Sequence, residues 1–388
     1  MSMLGMVLAG GAARGAYEAG VLRYVLTELP RHLGHVPWPD IVSGTSVGAL
    51  NGVYAVTRQK EYVRRMTTIW QEMEIAQIFT LQSGGVMRTV RSMFNASQLT
   101  ALLGVEPLYE LARREFPRAA LRDSIDSGAC KAFIISATRL DDGFNVLFYD
   151  ADRSIALDPL PGASVVRTHL NEEHLLASAA IPFLFPPVKI NDDYYVDGGL
   201  RQNTPLRPTI RAGADRILIV GAHGGVTLQE ALKASGELGT PTPTLPFLAG
   251  KTLNALMLDP VERDLHTTQQ MNALMAWGEA NFGREFLTRL KADMGMRPVS
   301  TYFLRPSEDL GRIAAEVYRS TPPKGTTQVR WLLSLVADQA NRAEGESDLL
   351  SFLYFDHNYT GLLERLGFED ARKHEEALMA FLSADSLR

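Results

Sequence analysis

The sequence predicts an α/β fold, a three-layer α/β/α sheet that carries a helical insertion and a helical C-terminal extension. Three observations predict it. Short apolar runs suited to buried strands alternate with helical patterns through about the first 225 residues. Two glycine-rich turns, Gly10–Gly15 and Gly44–Gly48, each stand between a strand-like run and a helix-like one. Further on, a helical pattern is interrupted at Gly295 and Pro298 and followed by one more β-prone run, Val299–Leu304.

The elements follow in order. Met3–Ala9 is mostly apolar and short enough for a buried strand. After the first glycine turn, Leu22, Val25, Leu26 and Leu29 share one helical face, and Pro30 is expected to close that helix. Pro39–Ser43 reads as a second strand and Val47–Thr57 as the helix after it; a looser helical region runs to about Phe116. Lys131–Thr138 and Asn145–Tyr149 read as strands joined through Asp141-Asp142-Gly143, followed by a helix over Glu172–Ala180. Two more strands end at Asp197 and Ala222. Thr227–Pro298 is expected to be a helical insertion. The catalytic unit is therefore expected to span 1–305, with its motifs inside 1–225 and the insertion at about 227–298. A helical extension over 306–388 would open at Ser307, a good N-cap.

The residues that carry chemistry sit at the ends of these strands. Gly44-Thr45-Ser46-Val47-Gly48 fits G-x-S-x-G, which holds a serine on a sharp strand-to-helix turn with its hydroxyl exposed. Glycines at its flanks remove side chains that would obstruct such backbone angles. Gly10-Gly11-Ala12-Ala13-Arg14-Gly15 offers backbone N–H groups at the positive end of a helix, a place for an anion. It fits neither the dinucleotide G-x-G-x-x-G pattern nor the P-loop, since no frame places the third glycine and no Gly-Lys-Ser/Thr follows. With a candidate nucleophile one strand away, an oxyanion hole is the better assignment. Asp197, before Gly198 and Gly199, puts a carboxylate at the end of a β-prone run, where open α/β sheets bind ligands. Asp-Gly is also an ordinary turn signal, and only the company of the other two motifs makes Asp197 the natural partner of Ser46.

Together, G-G-x-x-R-G at Gly10–Gly15, G-x-S-x-G-A-x-N at Gly44–Asn51 and D-G-G at Asp197–Gly199 resemble the three signatures of patatin-like phospholipases, in the same order and separation. Ser178–Pro182 and Asn203–Leu206 resemble the segments around the family's aspartate. Phe355-Asp356 and Leu366–Ala371 look, more loosely, like related bacterial sequences. The resemblance implies a patatin-like sheet and a Ser–Asp dyad without histidine. Ser46 would be the nucleophile, Asp197 the general base, and N–H groups around Gly10, Gly11 and Ala12 the oxyanion hole. Gly15, Gly44, Gly48, Gly198 and Gly199 would shape the loops, and Arg14 would either steady the first loop or meet a phosphate head group. A carboxylate with an ordinary pKa of about 3.9 is a weak base for a serine hydroxyl, so the site must be partly desolvated. A rival triad, Ser46–Asp197–His223, has the chain order of an α/β-hydrolase, with His223 just past the Arg216–Ala222 strand.

The expected activity is a serine lipid acyl hydrolase of phospholipase A or lysophospholipase type, with no cofactor. A transacylase using the same dyad and a silent lipid-binding scaffold are the alternatives. Composition agrees with a globular protein: 388 residues, 46% hydrophobic, 21% charged. A net charge of −5 gives no bulk attraction to nucleic acid or an anionic membrane. The lone Cys130 is expected to be buried and inert, and no His/Cys cluster has metal spacing. No apolar run approaches the ~20 residues that span a bilayer, so cytoplasmic residence is the expectation, with peripheral membrane contact as its variant. Ile181–Val188 and Pro243–Gly250 are the segments expected to line an acyl pocket rather than insert into lipid.

Overall fold

Strands of this protein alternate their side chains between two different cores. The computed structural model describes residues 2–81, 101, 103–159, 162–224, 252, 255, 261–321, 329–330, 333–334, 336–337 and 348–383. Its strands are β1 (Leu4–Leu8), β2 (Ile41–Thr45), β3 (Thr80–Leu81), β4 (Leu103–Gly104), β5 (Ala132–Arg139), β6 (Asn145–Ala151), β7 (Ala163–Arg167), β8 (Val188–Ile190), β9 (Asp193–Asp197), β10 (Arg216–Val220) and β11 (Ser300–Leu304). Apart from the small β3–β4 ladder they form one nine-stranded sheet in the order β11-β10-β1-β2-β5-β6-β7, with β9 pairing with β5 and β8. The five strands from β11 to β5 are parallel, while β6 and β9 run antiparallel to β5. Met6, Leu8, Val42, Phe133, Ile135 and Leu218 enter one apolar layer; Val7, Ile41, Ile134, Ile217 and Ile219 enter the other. That period of two, with both faces buried, gives near-continuous hydrophobic runs and the α/β/α layering.

Parallel strands bring their C-terminal ends to one edge, so the loops after β1, β2 and β10 meet there. Helices follow β1 and β2 as the glycine turns require, over Gly15–Arg23 and Val47–Val56. Two local expectations need correction. Pro30 does not end helical structure: it is the first residue of a further short helix, Pro30–Leu33, after a wide turn at Tyr24–Glu28, and its missing N–H costs nothing there. Ser307 is not an N-cap; its N–H and hydroxyl both donate to Asp370, and Asp309 caps Leu310–Ser320 by accepting from Arg312 N–H at 2.7 Å. Asp309 wins because its carboxylate reaches the third residue of the helix. Helices Val261–Phe282 and Arg284–Met294 occupy the described end of the expected insertion, whereas Pro243–Gly250 lies outside the described residues.

The helices Asp348–Leu353, His357–Lys373 and Glu375–Leu382 fold back onto the first core layer, where Leu350, Phe352, Tyr354, Tyr359 and Leu363 are buried with Met6 and Leu8. The Gly15–Arg23 and His357–Lys373 helices cross at two glycines. A Cβ on Gly20 would overlap the Glu364 carbonyl oxygen, and one on Gly367 the Tyr17 carbonyl oxygen. Around the crossing, Arg23 pairs with Glu364 at 2.6 Å and lies 3.9 Å over the Phe368 ring. The Leu366–Ala371 segment is therefore a helix–helix contact. Cys130 is fully buried, and burial pushes its thiol up to about 12. Among the described residues no helix is long and apolar enough to cross a membrane.

Candidate active site

Ser46 stands at the end of β2 with φ 55° and ψ −127°, a conformation an L-residue adopts only when its surroundings impose it. Those surroundings are specific. A Cβ on Gly44 would strike the backbone of Gly48 and Ala49, and one on Gly48 would strike the Leu8 and Ala9 carbonyls, so both flanks must be glycine. The Ser46 N–H donates to Ser178 Oγ at 2.8 Å, and Ser178 in turn donates to the Ser136 carbonyl at 2.6 Å. Ser178, at the end of the Glu172–Ser178 helix, thus braces the elbow against β5. Ser178→Ala leaves the buried Ser46 N–H without an acceptor. We expect a stability loss of about 1–3 kcal/mol and roughly tenfold slower ester turnover, read from a thermal melt and an ester assay.

Asp197 ends β9 opposite Ala137 of β5, one residue beyond the Thr45–Ser136 pairing of β2 with β5. The register therefore sets Asp197 and Ser46 at one level of the edge. Its carboxyl is fully buried; Oδ1 accepts the Gly199 N–H at 2.7 Å, and Oδ2 has no bond of regular geometry. The Ser46 hydroxyl faces it closely enough to favour the ionised form, as does the Gly199 N–H. Burial outweighs both and raises Asp197 from 3.8 to about 7. The pair is a facing contact rather than a closed hydrogen bond, as is common before substrate arrives. A Cβ on Gly198 would overlap the Ser136 carbonyl, so this residue must be glycine for Asp197 to sit against β5.

The first loop departs from expectation at Gly10. Gly10 N–H donates to the Asn203 carbonyl at 3.1 Å and is occupied, while Asn203 Nδ2 donates back to the Gly10 carbonyl at 3.1 Å. Neither Gly11 nor Ala12 N–H bonds a carbonyl within the described residues, and Ala12 shares a pocket with Ser46. Arg14 is buried rather than turned to a head group. Its guanidinium donates to Ser351 Oγ at 2.8 Å, pairs with Asp348 at 3.3 Å and lies 4.1 Å over the Phe352 ring. His223 lies 6.0 Å from the same ring, tilted against it. Its strand, β10, flanks β1, whereas Asp197 ends β9 beyond β5, so β1, β2 and β5 separate the two. Burial, Ser46 and Gly199 are what set the Asp197 carboxyl, and His223 is not among them.

Sequence reasoning quoted Asn51 and Asn203 within longer patterns but gave neither a task, and it overlooked Glu18. Asn51 Nδ2 donates to the Gly15 carbonyl at 2.9 Å and to Glu18 at 3.0 Å, and its Oδ1 accepts from Trp70 Nε1 at 2.9 Å. Burial pushes Glu18 well above the usual carboxylate range, against the lowering effect of the Asn51 hydrogen bond. The N at the end of G-x-S-x-G-A-x-N was the available signal.

From Ser46 an apolar pocket opens between the Val47–Val56, Lys60–Gln71 and Glu106–Glu115 helices, lined by Leu50, Met66, Ile69, Trp70, Leu111 and Ile181 among others. A Patatin-like phospholipase family model matches residues 6–210, more than half of the chain. The chain belongs to this family. Within the patatin-like domain the matched span begins in β1, takes in both glycine turns and Asp197, and ends in the Leu206–Arg211 helix. Lysophospholipase NTE1 from two strains of Cryptococcus neoformans var. neoformans serotype D (JEC21 and B-3501A) is 26% identical over 227 residues. The alignment covers 56% of this chain but 11% of that protein's length. Among solved structures, VipD from Legionella pneumophila aligns over 93% of this chain and 92% of its own, at 13% identity and a TM-score of 0.34. Human GIVD cytosolic phospholipase A2 aligns over 98% of this chain and 60% of its own, at 11% identity and a TM-score of 0.43.

Proposed function

We propose that this patatin-like protein is a serine acyl hydrolase of lipid esters, of phospholipase A or lysophospholipase type. One observation carries the proposal: a strained Ser46 faces a buried Asp197 at the head of an apolar pocket fit for an acyl chain. A pKa near 7 makes Asp197 a far better base than a surface carboxylate, because proton transfer is efficient when donor and acceptor are matched near working pH.

Ser46 Oγ attacks the ester carbonyl while its proton passes to Asp197, and the oxyanion is received by the N–H groups of Gly11 and Ala12. Collapse breaks the ester C–O bond, and the leaving alcohol takes the proton from Asp197. Water then attacks the acyl-Ser46 ester, Asp197 accepts its proton, and the proton returns to Ser46 as the fatty acid leaves. Such a site serves esters better than amides, since it holds no cationic acid for an amine leaving group.

A fluorophosphonate probe tests this directly. We expect labelling at Ser46, no label on Ser46→Ala, and hydrolysis reduced on the order of ten-thousandfold or more in that variant. His223→Ala is expected to keep turnover within about twofold, because loss of a true triad base would cost on the order of ten-thousandfold. An unlabelled wild type sinks the hydrolase; a dead His223→Ala sinks the dyad.

A further inference from the structure

We propose that the protein docks on a lipid bilayer through an apolar rim, Leu140, Phe144, Phe183 and Tyr194, on the Ser46 edge of the sheet. The proposal rests on the lipid hydrolase reading only for the identity of the surface. Its placement follows from register. β5 continues past Ala137, the partner of Asp197, to Arg139, and Leu140 N–H then donates to the Tyr194 carbonyl at 2.8 Å. Three residues of strand rise about 10 Å, so the turn carrying Leu140 and Phe144 and the β8–β9 hairpin carrying Tyr194 project beyond the candidate dyad. All three side chains are about half exposed.

Phe183 is 81% exposed and sits at φ 68° on the tip of the Ile181–Phe185 turn. A bulky residue seldom adopts that backbone region, and nothing in the core rewards it here. The root of the turn is fixed to the site: Asp197 N–H donates to the Ala180 carbonyl at 2.9 Å, and Ala179 and Ile181 line the acyl pocket. The turn that carries Phe183 thus also supplies part of the apolar pocket's wall.

The rim's charges nearly cancel. Arg139 pairs with Asp142 at 2.5 Å and Asp193 at 3.7 Å, and the remaining Lys189 and Arg201 match Asp141 and Asp192 in number. A near-neutral, aromatic surface suits zwitterionic lipid, with aromatic side chains at head-group depth. Its aromatics stand on three separate projecting turns, which suits a soft surface better than the roughly 800 Å² of flat contact per partner that a second copy of the chain would need.

Sedimentation of the Ser46→Ala protein with phosphatidylcholine vesicles tests the rim without consuming the lipid. We expect binding that salt and added phosphatidylserine barely change. Phe183→Asp and Phe144→Asp should each weaken it about tenfold, and Phe183→Leu should retain it. In the Ser46 background the same aspartate variants should melt normally and hydrolyse a short soluble ester at the parent rate. The proposal is overturned if the parent fails to sediment, or if the double aspartate variant sediments as well as the parent. It is also overturned if light scattering shows a dimer that these variants dissolve. Absent short-ester hydrolysis in the parent would sink the enzyme reading alone.

Discussion

Asp197→Asn should yield a protein that is almost inactive and, above neutral pH, more stable than the parent. Burial holds the folded-state pKa near 7, above the ordinary 3.8, so the folded protein retains a proton that the unfolded chain has lost. The stabilising contribution of the protonated form is whole below about pH 4 and is lost as pH rises through 7. Three pKa units correspond to about 4 kcal/mol as an upper figure. Asparagine has the same shape, cannot ionise and escapes that loss, so its melting temperature should stay level between pH 5 and 8 (~) where the parent's falls. Activity moves the other way. The parent's kcat/KM should rise across an acid limb centred near pH 7, and Asp197→Asn should lose on the order of ten-thousandfold because no base remains. Parallel pH–stability curves for the two proteins would show that Asp197 is not held protonated by burial.

Gly367→Ala should be strongly destabilising, although alanine is the better helix former by about 1 kcal/mol. Close approach decides the sign. The added methyl would lie inside the Tyr17 carbonyl oxygen, and backbone atoms cannot swing aside as a flexible side chain can. The two helices must separate, with Tyr17, Leu22 and Leu363 buried around the crossing. Overpacking of this kind costs about 3 kcal/mol, outweighing the propensity gain. We expect a melting temperature several degrees lower and slower ester turnover, since the displaced helix begins at the first glycine loop. Calorimetry beside an ester assay checks both, and an unchanged melting temperature would refute the tight crossing.

The parts legible in the sequence were those with a local signature. A strand, a glycine turn and a helix announce themselves within about a dozen residues, and so the Ser46 elbow, the Gly10–Gly15 loop and the β-strand ending at Asp197 all fell where periodicity put them. Contacts between distant residues have no such signature. Nothing in Ser178 advertises a brace 132 residues from Ser46, nor in Asn203 a clamp 193 residues from Gly10. The sequence leaves Arg14 between steadying the loop and meeting a head group, because the partners that decide it lie more than 330 residues away. The weak basicity argued for Asp197 held only for a solvated carboxylate, and the depth of its burial was not written in the Asp-Gly-Gly turn. Ser307 and Pro30 misled for a smaller reason, since a capping residue or a proline marks a boundary without saying on which side the helix lies.

The tie between Arg14 and Ser351 has a consequence in time. A ribosome making this chain releases the first glycine loop and the Ser46 elbow well before residues 348–352. The buried cation behind the loop meets its hydroxyl, carboxylate and aromatic partners only when residues 348–352 have emerged. Until then the Arg14 guanidinium stays in water, and the loop lacks the partners that fix it from behind. A nascent chain would therefore hold Ser46 in an unfinished site until the Asp348–Leu353 helix joins the fold.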